Sequence, residues 1–178
     1  NTICVATALL ETGMVPMEEP ITRFALEAPS GIIPIEAQCS HGKATEITFE
    51  NVACFVELAD VLVKVPEIGD VTVSVVYGGM WYCIVDAESV NIELIPSNGK
   101  TICRVGEMIK VACREQYPVK HPEIDYEGCD ILVFCASPTP NSNAHAKNAV
   151  VMSNTELKWD DPQTWTGMID RSPCGTGT

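Results

Sequence analysis

From residue 21 to residue 77 the chain carries one strand signal after another, which confines it to a fold built on sheets. Thr45-Glu46-Ile47-Thr48-Phe49-Glu50 alternates polar and apolar residues, and Val71-Thr72-Val73-Ser74-Val75 does so with β-branched side chains. His41-Gly42 and Ile68-Gly69-Asp70 are turn signals between strands. Residues 80–85 predict a further short strand, 131–136 a buried strand and 148–152 another. Two segments have helical character instead. Residues 2–12 are apolar on nearly every side, which predicts a buried helix; Gly13 caps it, and Pro16 and Pro20 break the chain beyond it. In residues 97–116, Ile102, Val105, Met108, Ile109, Ala112 and Cys113 recur at helical spacing, with Ser97 or Asn98 as cap and Pro118 as stop. Residues 137–143 read as loop, and 153–167 as a polar insertion bearing Trp159 and Trp165. Two helices among many strands predict the α+β class. No repeat and no long linker interrupts the 178 residues, so one domain is expected.

Composition narrows the function classes. The net charge of −13 argues against nucleic acid or an anionic membrane as partner, though not against an anionic small molecule met by local N–H groups. No apolar run approaches the ~18 residues of a membrane span. Residues 3–10 are apolar but have neither a basic lead nor a small-residue cleavage site, so they do not read as a signal peptide. The nine cysteines are odd in number and irregular in spacing, unlike a disulfide framework. Cys4, Cys54, Cys83, Cys113 and Cys135 stand in apolar contexts, where cysteine acts as a small hydrophobe, and a reducing cytoplasmic setting is expected. The three histidines are scattered, and neither a zinc motif nor a nucleotide-binding loop is present.

The chemistry concentrates at the chain end, Asp170-Arg171-Ser172-Pro173-Cys174-Gly175-Thr176-Gly177-Thr178. Proline fixes one dihedral just before a cysteine, and glycine beyond it lets backbone approach a ligand. A helix starting here would aim its unpaired N–H groups at an anion. An inert thiol in a Gly-rich loop is the competing reading of the same residues.

This nonapeptide resembles the second-cysteine motif of the proline racemase family, which also contains 4-hydroxyproline epimerases and trans-3-hydroxyproline dehydratases. Tyr77-Gly78-Gly79-Met80-Trp81-Tyr82-Cys83-Ile84-Val85-Asp86-Ala87 is similar to the family's Tyr-Gly-Gly-Asn-Phe-Tyr-Ala-Ile-Val-Asp-Ala. Asn1-Thr2-Ile3-Cys4-Val5-Ala6-Thr7-Ala8 resembles the helix after the family's first catalytic cysteine, and Ala28-Pro29-Ser30-Gly31 and His145-Ala146-Lys147-Asn148 fit in order. The insertion at 153–167 departs from the family, which has a shorter link there. The family's Met-Cys-Gly-His segment would come just before Asn1, so the chain is expected to be a piece of a longer protein, carrying one of two catalytic cysteines.

The resemblance implies one lobe of a diaminopimelate-epimerase-like fold over residues 1–178, a curved, mostly antiparallel sheet wrapped around residues 2–12 as central helix. It implies a cofactor-independent racemase or epimerase that inverts the α-carbon of proline or 4-hydroxyproline. Two opposed groups are required, because one cannot reach both faces of a ring; thiols suit the task, with an ordinary pKa near 8.5. Cys174 is the expected acid/base group. Asp170 is expected to hold the substrate's ring nitrogen, the N–H groups of Gly175 and Thr176 its carboxylate, and Asp130 a ring hydroxyl. For Asp170 the alternative is a loop carboxylate capping the next turn; for Asp130, an exposed strand-end carboxylate. Met80, Trp81 and Tyr82 are candidates for the pocket wall, and Trp165 for a cover. Arg171 reads as structural, His145, Lys147 and Asn148 as fixing a loop, and His121-Pro122 as a turn. No cofactor and no metal is expected; the partner is a small molecule, with a homodimer left open. Two other functions compete: a trans-3-hydroxy-L-proline dehydratase, whose family members often carry threonine where Cys174 stands, and a non-catalytic binding protein of the same fold.

Overall fold

The computed structural model describes residues 1–172 and Cys174. The chain gathers into two compact units, Asn1–Ala53 and Cys54–Thr178. The division falls in residues 50–54, which belong to neither helix nor strand.

In the first unit, helix α1 (Thr2–Glu11) precedes an antiparallel sheet of β1 (Ile21–Ala28), β2 (Gly31–Ser40) and β3 (Lys43–Phe49), with β2 in the middle. Alternation along β2 turns Ile33, Ile35, Ala37 and Cys39 to one face, where Ala6 and Leu10, one helical turn apart, pack on them. The β2–β3 turn is the expected one: His41 and Gly42 both have positive φ, 53° and 71°, the geometry that matches strand twist in a two-residue hairpin. Glu11 ties the helix to β3, its carboxylate 2.6 Å from Lys43 Nζ and accepting the Ala44 N–H. Those bonds, the Lys43 one first, hold its carboxyl below the usual range. Gly13, at φ 73°, ends the helix as expected. The buried character expected of α1 holds on one face only. Ile3 and Val5 remain 51% and 46% exposed, because a three-stranded sheet covers a single side of a helix.

The second unit is a six-stranded sheet in sequence order: β4 (Phe55–Val65), β5 (Gly69–Tyr77), β6 (Trp81–Asp86), β7 (Ile131–Ala136), β8 (Lys147–Ser153) and β9 (Gly167–Ile169). All neighbours are antiparallel except β6 and β7. A parallel pair needs a crossover, and residues 87–130 supply it, including helix α2 (Gly99–Gln116). The helix packs on β4, β7, β8 and β9. Gly106 permits the approach: a Cβ there would lie 2.7 Å from Val151 Cγ2 and 3.1 Å from Phe134. Asn98 stands at the helix start as expected, but its side chain makes no capping bond and donates instead to Glu93 O.

The expected apolar stripe of α2 is buried except for Val105, which is half-buried; Glu107 and Lys110 are buried with it. Lys110 Nζ donates to Ser153 Oγ at 2.6 Å, and Ser153 Oγ donates to Glu107 Oε1 at 2.7 Å. Glu107 Oε2 lies 2.8 Å from Lys110 Nζ as an ion pair without hydrogen-bond alignment. The insertion at 153–167 forms a clasp on α2. Trp165 is buried with Arg104 over its ring at 4.7 Å, and the Trp159 indole donates to the Glu115 carboxylate. Trp165 therefore packs against the helix, where it lines a cleft of ≈ 440 Å³ with Lys100, Cys103 and Arg104.

Candidate active site

Alternation along β6, β7 and β8 gives the sheet two unlike faces. Phe134 and Val151 meet α2 at Gly106. Tyr82, Ile131, Val133 and Val150 turn the other way and form an apolar cluster with Cys174, flanked by Val76, Ile84, Cys135 and Met152. Register makes this bed regular: Tyr82, Ile131 and Met152 stand in one row, and Ile84, Val133 and Val150 in another.

The chain reaches Cys174 through a short hydrogen-bonded ladder. Asp170, just past β9, donates its N–H to Val150 O at 2.9 Å. Its Oδ1 accepts the Ser172 N–H at 2.9 Å, and its Oδ2 accepts the Ser172 hydroxyl at 2.7 Å. The Ser172 oxygen in turn accepts the Cys174 N–H at 3.4 Å. These two bonds, the hydroxyl one first, hold the Asp170 carboxyl below the usual carboxylate range. Asp170 thus organises the turn, and among the described residues each of its oxygens accepts one hydrogen bond. Cys174 has φ 52°, a left-handed conformation that non-glycine residues adopt at a cost and that clusters at functional sites. At 9% exposure it is not the open loop thiol that the flanking glycines suggested. The apolar bed removes it from water. Pro173, Gly175 and Thr176 fall outside the described residues.

Asp130 stands at the entry to β7 and accepts the Tyr126 hydroxyl at 2.8 Å. Burial first, and Asp130 second, push the Tyr126 phenol well above its ordinary range. Tyr126 O is held by the Trp81 indole at 3.4 Å, so this pair belongs with the rings of Trp81, Tyr77, Phe55 and His121. Tyr82 is in the Cys174 cluster, Trp81 in the aromatic one, and Met80 is exposed. His121 accepts the N–H groups of Glu123 and Ile124 on Nδ1, the turn role expected of it. Lys147 pairs with Ala136 at the opposite end of β7 from Asp130, lining a cleft of ≈ 400 Å³ with Glu88, Glu93 and Ser137.

Comparison with known proteins extends over the whole chain. The profile of the family described as Proline racemase matches residues 1–178. An uncharacterized protein of Bacillus anthracis is 39% identical over all of this chain and 48% of its own length. Two crystal structures are similar at 31% identity and TM-score 0.83, each over 99% of this chain. One is a probable proline racemase from Agrobacterium radiobacter K84 with bound carbonate, of which 48% is covered. The other is a hydroxyproline epimerase from Agrobacterium vitis with bound trans-4-hydroxy-L-proline, of which 47% is covered. The chain spans about half the length of the relatives it matches.

Proposed function

The chain belongs to the proline racemase family and has its diaminopimelate-epimerase-like fold, and from that premise we propose that the whole protein inverts the α-carbon of proline or 4-hydroxyproline without a cofactor. The observation that carries the proposal is the ladder from Asp170 through Ser172 to Cys174, laid over the bed of β6–β8 in a chain that matches the family throughout.

In this reading Cys174 exchanges a proton with one face of the α-carbon. A second thiol, supplied by a part of the protein beyond these residues, serves the opposite face. One must be protonated while the other is not, so the pair trades roles with the handedness of the substrate. An apolar bed keeps bulk water off the reacting carbon, so the carbanion takes its new proton from the opposed thiol rather than from solvent directly. Asp170, kept ionised by Ser172, offers its remaining lone pairs to the ring nitrogen, a cation in the ground state. The N–H groups of Gly175 and Thr176 are assigned to the carboxylate and to the charge that develops on it as the carbanion forms. Asp130, oriented by Tyr126, is assigned to a ring hydroxyl. Each proton transfer is accounted for by a thiol, which leaves a cofactor no step to perform.

The test is deuterium wash-in at the α-carbon with the full-length enzyme and each epimer in turn. Cys174→Ser should abolish inversion but retain exchange from the face served by the other thiol. Full inversion by this variant would remove Cys174 from the mechanism. Parallel assays with L-proline, trans-4-hydroxy-L-proline and trans-3-hydroxy-L-proline separate epimerisation from dehydration; release of water from the last, with the first two unchanged, would make the protein a dehydratase.

A further inference from the structure

Three thiols that the proposed chemistry does not use meet on the α2 side of the sheet. Cys83 is on β6, Cys113 in the last turns of α2, and Cys129 closes the segment that leads into β7; all three are buried. The sulfurs of Cys83 and Cys129 are 3.1 Å apart. That is outside the ~2.05 Å of a covalent S–S bond but closer than two side chains need be for packing alone. Hydrogen bonds to Cys113 and Cys129, and then burial, push the Cys83 thiol up, while Cys113 is drawn down by the bond from Cys83. Among the described residues no three His, Cys, Asp or Glu side chains are arranged to hold a metal. In the family's pattern alanine stands at the position of Cys83, so packing does not require a sulfur there.

We propose that Cys83 and Cys129 form a dithiol oxidation site that takes a small hydroperoxide as co-reactant and closes to a disulfide. The sulfur of one residue attacks a peroxide oxygen; the O–O bond breaks, leaving a sulfenic acid on that residue and one water. The second sulfur attacks the sulfenic sulfur, the S–O bond breaks, and a second water leaves. Two thiols and one hydrogen peroxide thus give one disulfide and two waters, the thiols being oxidised and the peroxide reduced. Enclosure suits a small uncharged oxidant and excludes bulky disulfides such as oxidised glutathione. Closure would staple the 117–130 segment to β6. Its effect would be felt beside Asp130, the residue after Cys129, and beside Tyr82, the residue before Cys83. The proposal does not depend on the role assigned to Cys174.

The folded full-length protein is exposed to hydrogen peroxide, denatured in an alkylating agent and digested without reductant for mass spectrometry. The expected result is a Cys83–Cys129 linked peptide, two hydrogens lighter than the separate thiol peptides and lost on treatment with dithiothreitol. Hydrogen exchange should slow in residues 117–130 of the oxidised protein. Cys83→Ala should abolish the linked peptide, and so should Cys129→Ser, should either variant alone fail to fold. Oxidation confined to exposed thiols such as Cys4 and Cys54, linkage of Cys83 to Cys113 in place of Cys129, or linkage only after denaturation would each overturn the proposal.

Discussion

At the scale of single residues, hydrogen bonds decide more than exposure does. Asp170 is only half-buried, yet Ser172 fixes its direction and its ionisation. Ser172→Ala removes the hydroxyl bond, so the Asp170 pKa should rise toward that of an ordinary carboxylate, as read by carbon NMR during a pH titration. The sign follows from linkage. A carboxyl depressed in the folded state favours folding above its unfolded pKa, and that contribution is lost as pH falls through the folded value. The variant should therefore lose less stability on acidification than the parent. Glu107 and Lys110 present the opposite case, two charges taken wholly out of water. Glu107→Gln strands the ammonium, and we expect a loss of about 3–5 kcal/mol in urea denaturation, whereas Glu107→Met with Lys110→Met should recover most of it. Cys174 is buried on its apolar bed. The exposed thiols Cys4 and Cys54 should react with iodoacetamide before it in this chain, because alkylation needs access first.

At the scale of elements, the sequence was legible wherever local pattern and environment agree. Strands β1 to β8, the hairpin turn at His41-Gly42 and both helices fall where alternation, helical spacing and turn chemistry put them, while β9 carries no such signal. It was not legible where burial comes from distant chain. No local signal marks Glu107 and Lys110 as buried; the strands that α2 packs on take them out of water. The flanking glycines of Cys174 signal an open loop, while the bed that covers the sulfur comes from strands as remote as Tyr82. Likewise nothing local joins Cys83 to Cys129. Gly106 shows how tightly helix and sheet have closed. Gly106→Ala gains about 1 kcal/mol of helix propensity but places a methyl where no space exists, at about 1–3 kcal/mol. Thermal denaturation should report net destabilisation, and Val151→Ala in the same chain should make the two effects less than additive.

At the scale of the whole molecule, the two units differ in what they bury. The first has three strands and one helix covered on a single face; the second has six strands and a helix buried over two turns. Small units bury a smaller fraction of their surface and open more readily. Hydrogen exchange should therefore be slowest in β5 to β8 and measurably faster in β1 to β3; equal protection of both sheets would show that they open together. The one parallel seam has a further consequence, in time rather than space. Strands β4 to β6 and β7 to β9 each assemble from neighbours in sequence, but β6 meets β7 only after residues 87–130 have left the sheet and returned. Contacts that close long loops form late in folding. The platform under Cys174 takes Tyr82 from one side of that seam and Ile131 from the other. It is therefore a late product of folding, and a partly folded chain can display every strand of the sheet while the Cys174 sulfur still has nothing to rest on.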